Sequence, residues 1–307
     1  MRKRHFSLRN DTRKTLLFFA YISPWLLGFI AFTIVPLALS LVYAFTNVKM
    51  INVNQGLNFV GFDNFIYIFT KDDDFLQSIF NTFIYAFCKV AILTILALLL
   101  ALLLNVKFIG RKLFRVMIYL PAIIPVVSVS LLWQLLFSGG EFNVVNYFLS
   151  YLGLQPVNFL GNNVSAMGTI IFVGVWSGLG PTMLVFLAAI QNVNKDLLEA
   201  ADLDGAGPIR KFNKVIMPAI MPVMFFVVLT GLISALQSYA EVKLLTNGGP
   251  GNGTITMSMA IVSNAFKTTG SRTLGYACAQ GWIVFLLTLF LTLLYIWNMN
   301  RKEKGNN

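Results

Sequence analysis

Six apolar stretches, near residues 18–45, 79–104, 113–137, 166–190, 215–236 and 274–297, alternate with short polar gaps along this 307-residue chain. Each reaches the roughly 20 residues with which an α-helix crosses about 30 Å of hydrocarbon. The runs are continuously apolar, whereas a membrane barrel strand alternates polar and apolar residues over about ten positions. The pattern therefore predicts an all-α integral membrane protein with six transmembrane helices. It divides into a tail (1–17), a first helix (18–45), a five-helix core (79–298) holding a polar loop at 192–215, and a second tail (299–307). The gaps near 46–78, 138–165 and 237–273 are too short and too rich in Gly and Asn to be domains, and read as lids, plugs or docking loops.

Composition agrees with this pattern. The chain is 57% hydrophobic and 11% charged, against about a quarter charged in a soluble domain. Its formal charge of +11 lies mostly in alternate gaps: Arg2, Lys3, Arg4, Arg9, Arg13 and Lys14; Lys107, Arg111, Lys112 and Arg115; Lys195, Arg210, Lys211 and Lys214; Arg301, Lys302 and Lys304. The opposite gaps hold only Lys49, Lys71, Lys243, Lys267 and Arg272. Cations are retained on the cytoplasmic side, so both termini and the 192–215 loop are expected there. Scattered in this way, they form no basic face with stacking aromatics, which argues against a nucleic-acid partner. The stretch 18–45 exceeds the 7–15 residues of a secretory h-region and is read as a retained span, with Pro24 and Pro36 marking a bend or interfacial ends.

Little in the chain suggests chemistry. His5 stands alone in the tail, and Cys88 and Cys278 fall inside spans, where thiols pack as small hydrophobes. G-x-x-x-x-G-K-[ST], G-x-S-x-G and H-E-x-x-H are absent, leaving no readable apparatus for nucleotide hydrolysis, acyl transfer or zinc hydrolysis. No catalytic, cofactor-binding or metal-binding residue is expected. Asp72-Asp73-Asp74 suits a solvated helix start, with a cation site as the other reading. Thr246 to Gly253 concentrates turn-forming residues. Pro121 and Pro125 predict a kink in the third span, either packing or freeing backbone groups along a pathway. Lys89, about ten residues into the second span, is expected to face the bundle interior. It either works there or pairs with Glu241 or a carbonyl for assembly.

The 192–215 gap is the most informative. It carries Glu199-Ala200-Ala201-Asp202-Leu203-Asp204-Gly205 and runs through Arg210, Lys211 and Lys214 to Val215-Ile216-Met217-Pro218. Physically it reads as a short helix, a Gly turn and a second short helix along the membrane surface. Ala200 and Ala201 permit close approach, Glu199 offers a carboxylate to a partner cation, and Gly205 allows a sharp turn where a Cβ would clash. Pro218 then sits near the start of the next span.

This spacing resembles the signature of permease subunits in binding-protein-dependent ABC importers: E-A-A, three residues, G, nine residues, I-x-L-P. Val215 and Met217 stand for its Ile and Leu, and Asp204-Gly205-Ala206 matches the D-G-A of the carbohydrate-uptake branch. Phe59-Val60-Gly61-Phe62-Asp63-Asn64-Phe65, Leu120-Pro121 with Trp133, and Leu244-Leu245-Thr246-Asn247-Gly248-Gly249-Pro250 also resemble sugar-permease segments, in order.

The resemblance implies a type I ABC importer permease fold with a peripheral first helix, in a bacterial-type cytoplasmic membrane. It implies a coupling element (Glu199, Ala200, Ala201, Asp204, Gly205, Val215, Met217, Pro218) that docks on a cytoplasmic ATPase, where ATP and Mg are bound. Further implied partners are a second, homologous but different permease chain, a second ATPase copy and an extracytoplasmic solute-binding protein. The implied activity is translocation of a sugar or oligosaccharide by alternating access. Glycerol-phosphate esters, polyols or another solute remain as alternatives, while a secondary transporter would not need the docking island. For the solute, a sugar requires hydroxyl and amide groups beside an aromatic face. Trp176, Ser177, Ser234, Gln237, Ser238 and Tyr239 offer these, with Gly178 and Gly231 leaving room. The competing reading makes the aromatics interfacial anchors and Gly174-x-x-x-Gly178 a packing stripe.

Overall fold

A computed structural model describes residues 8–49, 58–138, 143–266 and 274–305. Its regular elements are helical, apart from one isolated antiparallel bridge between Thr46 and Phe59. In chain order they are α1 (Leu8–Phe29), a π-helical turn (Ile30–Ile34), α2 (Val35–Ala44), α3 (Asp63–Thr70), α4 (Asp73–Asn105), α5 (Arg111–Ile123), α6 (Val126–Phe137), α7 (Val144–Tyr151) and α8 (Asn163–Gln191). There follow α9 (Lys195–Leu203), α10 (Pro208–Lys211), a second π-helical turn (Phe212–Ile216), α11 (Met217–Leu236), α12 (Ala240–Leu245), α13 (Met257–Ala265) and α14 (Leu274–Gly305).

Leu17–Ala44, Asp73–Asn105, Asn163–Gln191, Pro208–Leu236 and Leu274–Met299 are each long and apolar enough to cross a membrane. The expected third span is different. It is a pair, α5 and α6, bent by 96°, a break rather than a kink. Ile124 is extended (φ −74°, ψ 131°) and Pro125 follows it, because a proline ring disfavours helical backbone in the residue before it.

Two other prolines are accommodated differently. Pro36 and Pro218 each follow a π-helical turn directly, in which Val35 N–H donates to Ile30 O and Met217 N–H to Phe212 O. The wider turn shifts the hydrogen-bond register just where the next amide is missing. As a result α10, the π turn and α11 form one continuous helix, Pro208–Leu236. The second half of the polar loop is thus continuous with the long helix that follows it, not a separate short helix as expected from the sequence.

The chain divides by contact into two compact units, residues 1–66 with 264–282, and 67–263 with 283–307. In the first, α1 and α2 present an apolar window of which none is buried. The loop after α2 is fixed by Asn64, whose amide donates to Ala44 O (2.9 Å) and Thr46 O (3.0 Å). Phe45 meets the rings of Phe59, Phe62 and Phe65 around it, and Gly61 takes φ +57° at the turn.

In the second unit, α4 buries Phe75, Ser78, Thr82, Tyr85, Ala86, Val90, Leu93, Ala97, Ala101 and Leu104. The spacing of three or four residues makes one face, and that face packs on α8. Small residues allow the approach: a Cβ on Gly178 would lie 3.1 Å from Leu93 Cδ2, and one on Gly174 2.8 Å from the Tyr85 hydroxyl. Gly180 is tighter still, since its Cβ would lie 2.6 Å from Ile118 O and Tyr119 Cα of α5. Ala97, Ala101, Met183, Phe186, Ile190, Ile220 and Val227 form the core shared by α4, α8 and α11. Cys88, expected to be buried, lies exposed on α4, and Cys278 is half-buried; both thiols are free.

Asp72 caps α4, accepting from Phe75 N–H at 2.9 Å, and Asp73 and Asp74 occupy the first turn, which is the helix-start reading of that acidic run. The Gly-rich turn uses positive φ at Asn247, Gly248, Gly251 and Asn252, with a cis Gly249–Pro250 peptide. It is tied to α4 by the Asn81 amide, which donates to Asn252 O and Ile255 O at 3.1 Å each.

Candidate transport cavity and docking hairpin

The broken α5–α6 pair opens a space beside the α4–α8 seam. Pro121, Ala122, Ile123, Ile124, Pro125 and Val126 wall it on one side, and α4, α8, α11 and Glu241 of α12 complete a cavity of about 670 Å³. Its polar positions are Lys89 and Thr94 of α4, Ser177 and Thr182 of α8, Thr230 and Ser234 of α11, and Glu241. In a chain with so little charge, a cation and a carboxylate facing one cavity are costly to place without use or pairing.

Lys89 faces the interior, as its position in the second span predicts. Its Nζ lies 4.0 Å from Glu241 Oε1, with the Lys89 side chain 13% exposed, and 5.1 Å from the centre of the Tyr85 ring. The other carboxylate oxygen, Oε2, accepts from the Ser238 hydroxyl at 2.8 Å. Ser238 is buried, and its own carbonyl accepts from Thr256.

Of the residues singled out for the solute, Ser177, Gly178, Gly231 and Ser234 lie on the cavity wall. Ser238 reaches it only through Glu241. Trp176 instead meets Trp133 edge to face at 5.3 Å, within an aromatic group that includes Phe172 and Phe137. Gln237 is exposed at the end of α11, and half-buried Tyr239 precedes α12; neither lines the cavity. Thr94, Thr182 and Thr230 escaped the sequence reading. A usable signal existed: Gly174, Gly178 and Thr182 fall at successive i+4 positions, and so do Thr230 and Ser234.

At the other candidate site, Asn194 caps α9 by accepting from Asp196 N–H at 2.9 Å. The helix ends where Gly205 N–H donates to Asp202 O (3.1 Å) and Ala206 N–H to Ala201 O (2.9 Å), a Schellman arrangement with the left-handed position at Gly205 (φ +69°). A Cβ there would meet nothing within 4 Å. The glycine is needed for the backbone angle of the sharp turn expected from the sequence, not because a Cβ would clash there. Lys211 pairs with Asp202 across the turn.

The hairpin is held from one side only. Leu198, Val215, Ile216 and Met217 pack against the α4–α8–α11 core. Glu199, Ala200, Asp204 and Pro218 are exposed and Ala201 half-buried. Leu203 is 90% and Ile209 76% exposed, beside a shallow depression framed by Gly207, Pro208, Arg210, Asn213 and Lys214. Two large apolar side chains are thus displayed among charges in a polar segment.

A bundle of apolar spans around a polar cavity, with a firmly anchored hairpin beyond it, is the arrangement of a solute permease. The chain belongs to the family described as binding-protein-dependent transport system inner membrane component, which it matches over residues 93–302. It is thus a multi-pass plasma-membrane permease of the ABC importer class. It is 33% identical over 296 residues to a probable ABC transporter permease, YesP, of Bacillus subtilis, covering 95% of this chain and 92% of the relative. It is also 34% identical over 248 residues to the sn-glycerol-3-phosphate transport system permease UgpA of Yersinia pestis, covering 80% and 82%. A crystal structure of a bacterial ABC transporter involved in import of the acidic polysaccharide alginate superposes with a TM-score of 0.82 at 26% identity, covering 96% of this chain and 98% of that one.

Proposed function

We propose that the chain carries a sugar or oligosaccharide through the α4–α8–α11 cavity by alternating access, and that its 195–217 hairpin receives the drive. The observation that carries the solute reading is the cavity itself. Its volume of about 670 Å³ falls in the roughly 300–1,000 Å³ range of small-molecule sites, and its wall carries the hydroxyl residues Ser177, Thr182, Thr230 and Ser234. Polyhydroxylated solutes need such donor–acceptor groups, since an unpaired solute hydroxyl costs affinity in a dry site. The sugar-permease-like segments around Asn64, Trp133 and Gly248, and the alginate importer's similarity, support the same class.

In this mechanism a solute-binding protein delivers sugar from outside, and closure of two cytoplasmic ATPase subunits pushes on Leu203, Ile209 and Glu199. Because Leu198, Val215 and Met217 are packed on the core, a push on the hairpin passes directly to α4, α8 and α11. ATP and Mg are held by the ATPases, both termini of this chain face the cytoplasm, and a different permease chain supplies the other half of the pathway. A second reading, a phosphate ester such as the relative UgpA's name describes, is favoured by Lys89 in the cavity wall.

The test is uptake into proteoliposomes containing this chain, its partner permease, the ATPase and the binding protein. Uptake of labelled saccharide that requires ATP and the binding protein is expected. Failure to carry any saccharide would sink the solute reading, and unaided transport by the purified chain would sink the coupling reading.

A further inference from the structure

We infer that Lys89 is a solute-binding cation, and that the imported solute carries an anionic group, a sugar-ring carboxylate or a phosphate ester, which the ammonium takes at one end of the cavity. This rests on the cavity being the solute pathway. Lys89 Nζ and Glu241 Oε1 stand 4.0 Å apart, within ion-pair range but beyond hydrogen-bonding distance. Glu241 is steadied through its other oxygen by the Ser238 hydroxyl, so a solute can reach the ammonium without first breaking a Lys–Glu hydrogen bond. An ammonium has three donors; beside the Tyr85 ring at 5.1 Å the Tyr85 hydroxyl interacts with one of them, which leaves the others for a solute.

The surroundings point the same way. Gly174 is where a side chain would crowd the lysine: a Cβ would lie 3.0 Å from Lys89 Cε, so the missing Cβ lets the stem lie along α8 and bring its head to the cavity. Thr94, on the same helix and the same wall, is 9% exposed, and its Oγ1 is buried without a hydrogen-bond partner. That hydroxyl is a polar group which the fold leaves unspent beside the cavity. A pair built only for assembly gains most from a tight, sealed contact, whereas this one borders open volume. In such a low-dielectric wall, a charged acceptor binds an ammonium more strongly than a neutral hydroxyl does.

The experiment uses the complete reconstituted transporter and three labelled probes: a hexuronate-containing disaccharide, glycerol 3-phosphate and a neutral disaccharide. Co-purification of the partner permease and ATPase checks assembly of each variant. For the anionic probe that is carried, Lys89→Gln should raise KM by about tenfold or more with kcat little changed, the pattern of lost solute binding. The KM for the neutral probe, where it is carried, should rise less than that for the anionic probe. Which anionic probe responds separates carboxylate from phosphate recognition. The double variant K89M/E241M removes both charges together, so that neither is left buried alone; it should still lose anionic uptake. The inference is overturned if the wild type carries neither anionic probe, if Lys89→Gln impairs neutral and anionic uptake alike or prevents assembly, or if K89M/E241M transports anionic solute normally. Carriage of the neutral sugar alone would leave the sugar reading standing and remove only this one.

Discussion

The loop around Asn64 and the hairpin around Gly205 are both short, both turn on a glycine of positive φ, and dispose of their side chains in opposite ways. Around Asn64, the amide is spent on Ala44 and Thr46 carbonyls and the phenylalanine rings lie on one another. Around Gly205 the backbone is equally well closed, yet Leu203 and Ile209 project outward with nothing of their own unit on them. A family-like motif can therefore mean two physical things. Where its groups are satisfied within the chain it holds a shape, and where its backbone is satisfied while its apolar side chains are not, it offers a surface.

That contrast breaks most readily at Leu203. Replacing it by Asp should cut ATP-driven uptake by about 30-fold, the loss of roughly 2 kcal/mol expected for an interface anchor, while the isolated chain keeps its thermal stability. An equal fall in stability would make Leu203 a folding residue and end the distinction. Asn64→Ala should do the reverse. It removes two hydrogen bonds to carbonyls and should cost about 1–3 kcal/mol of stability, read as earlier thermal unfolding in detergent, with transport per folded complex unchanged.

Smaller effects sharpen the account of the turn. Gly205→Ala forces a side chain into left-handed backbone at a cost of about 1 kcal/mol; because a Cβ there meets nothing, the loss should be no worse for Ser than for Ala. A much larger penalty for Ser, measured by thermal unfolding, would indicate a contact rather than a backbone constraint. Asp202→Asn removes the pair with Lys211 at an exposed site, and should change stability by less than about 1 kcal/mol in the same assay.

Much of the fold was legible because lipid demands unambiguous segments. Continuous apolar runs located the long helices, though α4 begins at Asp73 and α14 ends at Gly305, well outside their runs, and the proline pair predicted a kink in the third span where the structure has a break of 96°. The cap at Asp72 and the turn after Thr246 were readable from residue types alone. The solute wall was legible only in part. Ser177, Gly178, Gly231 and Ser234 reach the cavity, whereas Trp176 turns to Trp133 and Gln237 stays exposed. Cys88 shows why. In a membrane helix the outer face is as apolar as the inner one, so hydrophobicity does not tell a lipid-facing position from a packed one.

By itself, then, the sequence determined that this is a helical membrane permease, where its spans lie, and that the polar island after the fourth of them contains a glycine-closed turn with the family's spacing. These follow from chain-local physics: backbone groups in lipid must bond within their own helix, and glycine and proline act on their immediate neighbours. Only the tertiary structure decided that α5 and α6 part to open a cavity, that Lys89 and Glu241 meet across it at 4.0 Å, and that Leu203 and Ile209 point away from the core. Those outcomes depend on which faces of separate helices come together, set by steric fit at contacts such as Gly180 against the α5 backbone.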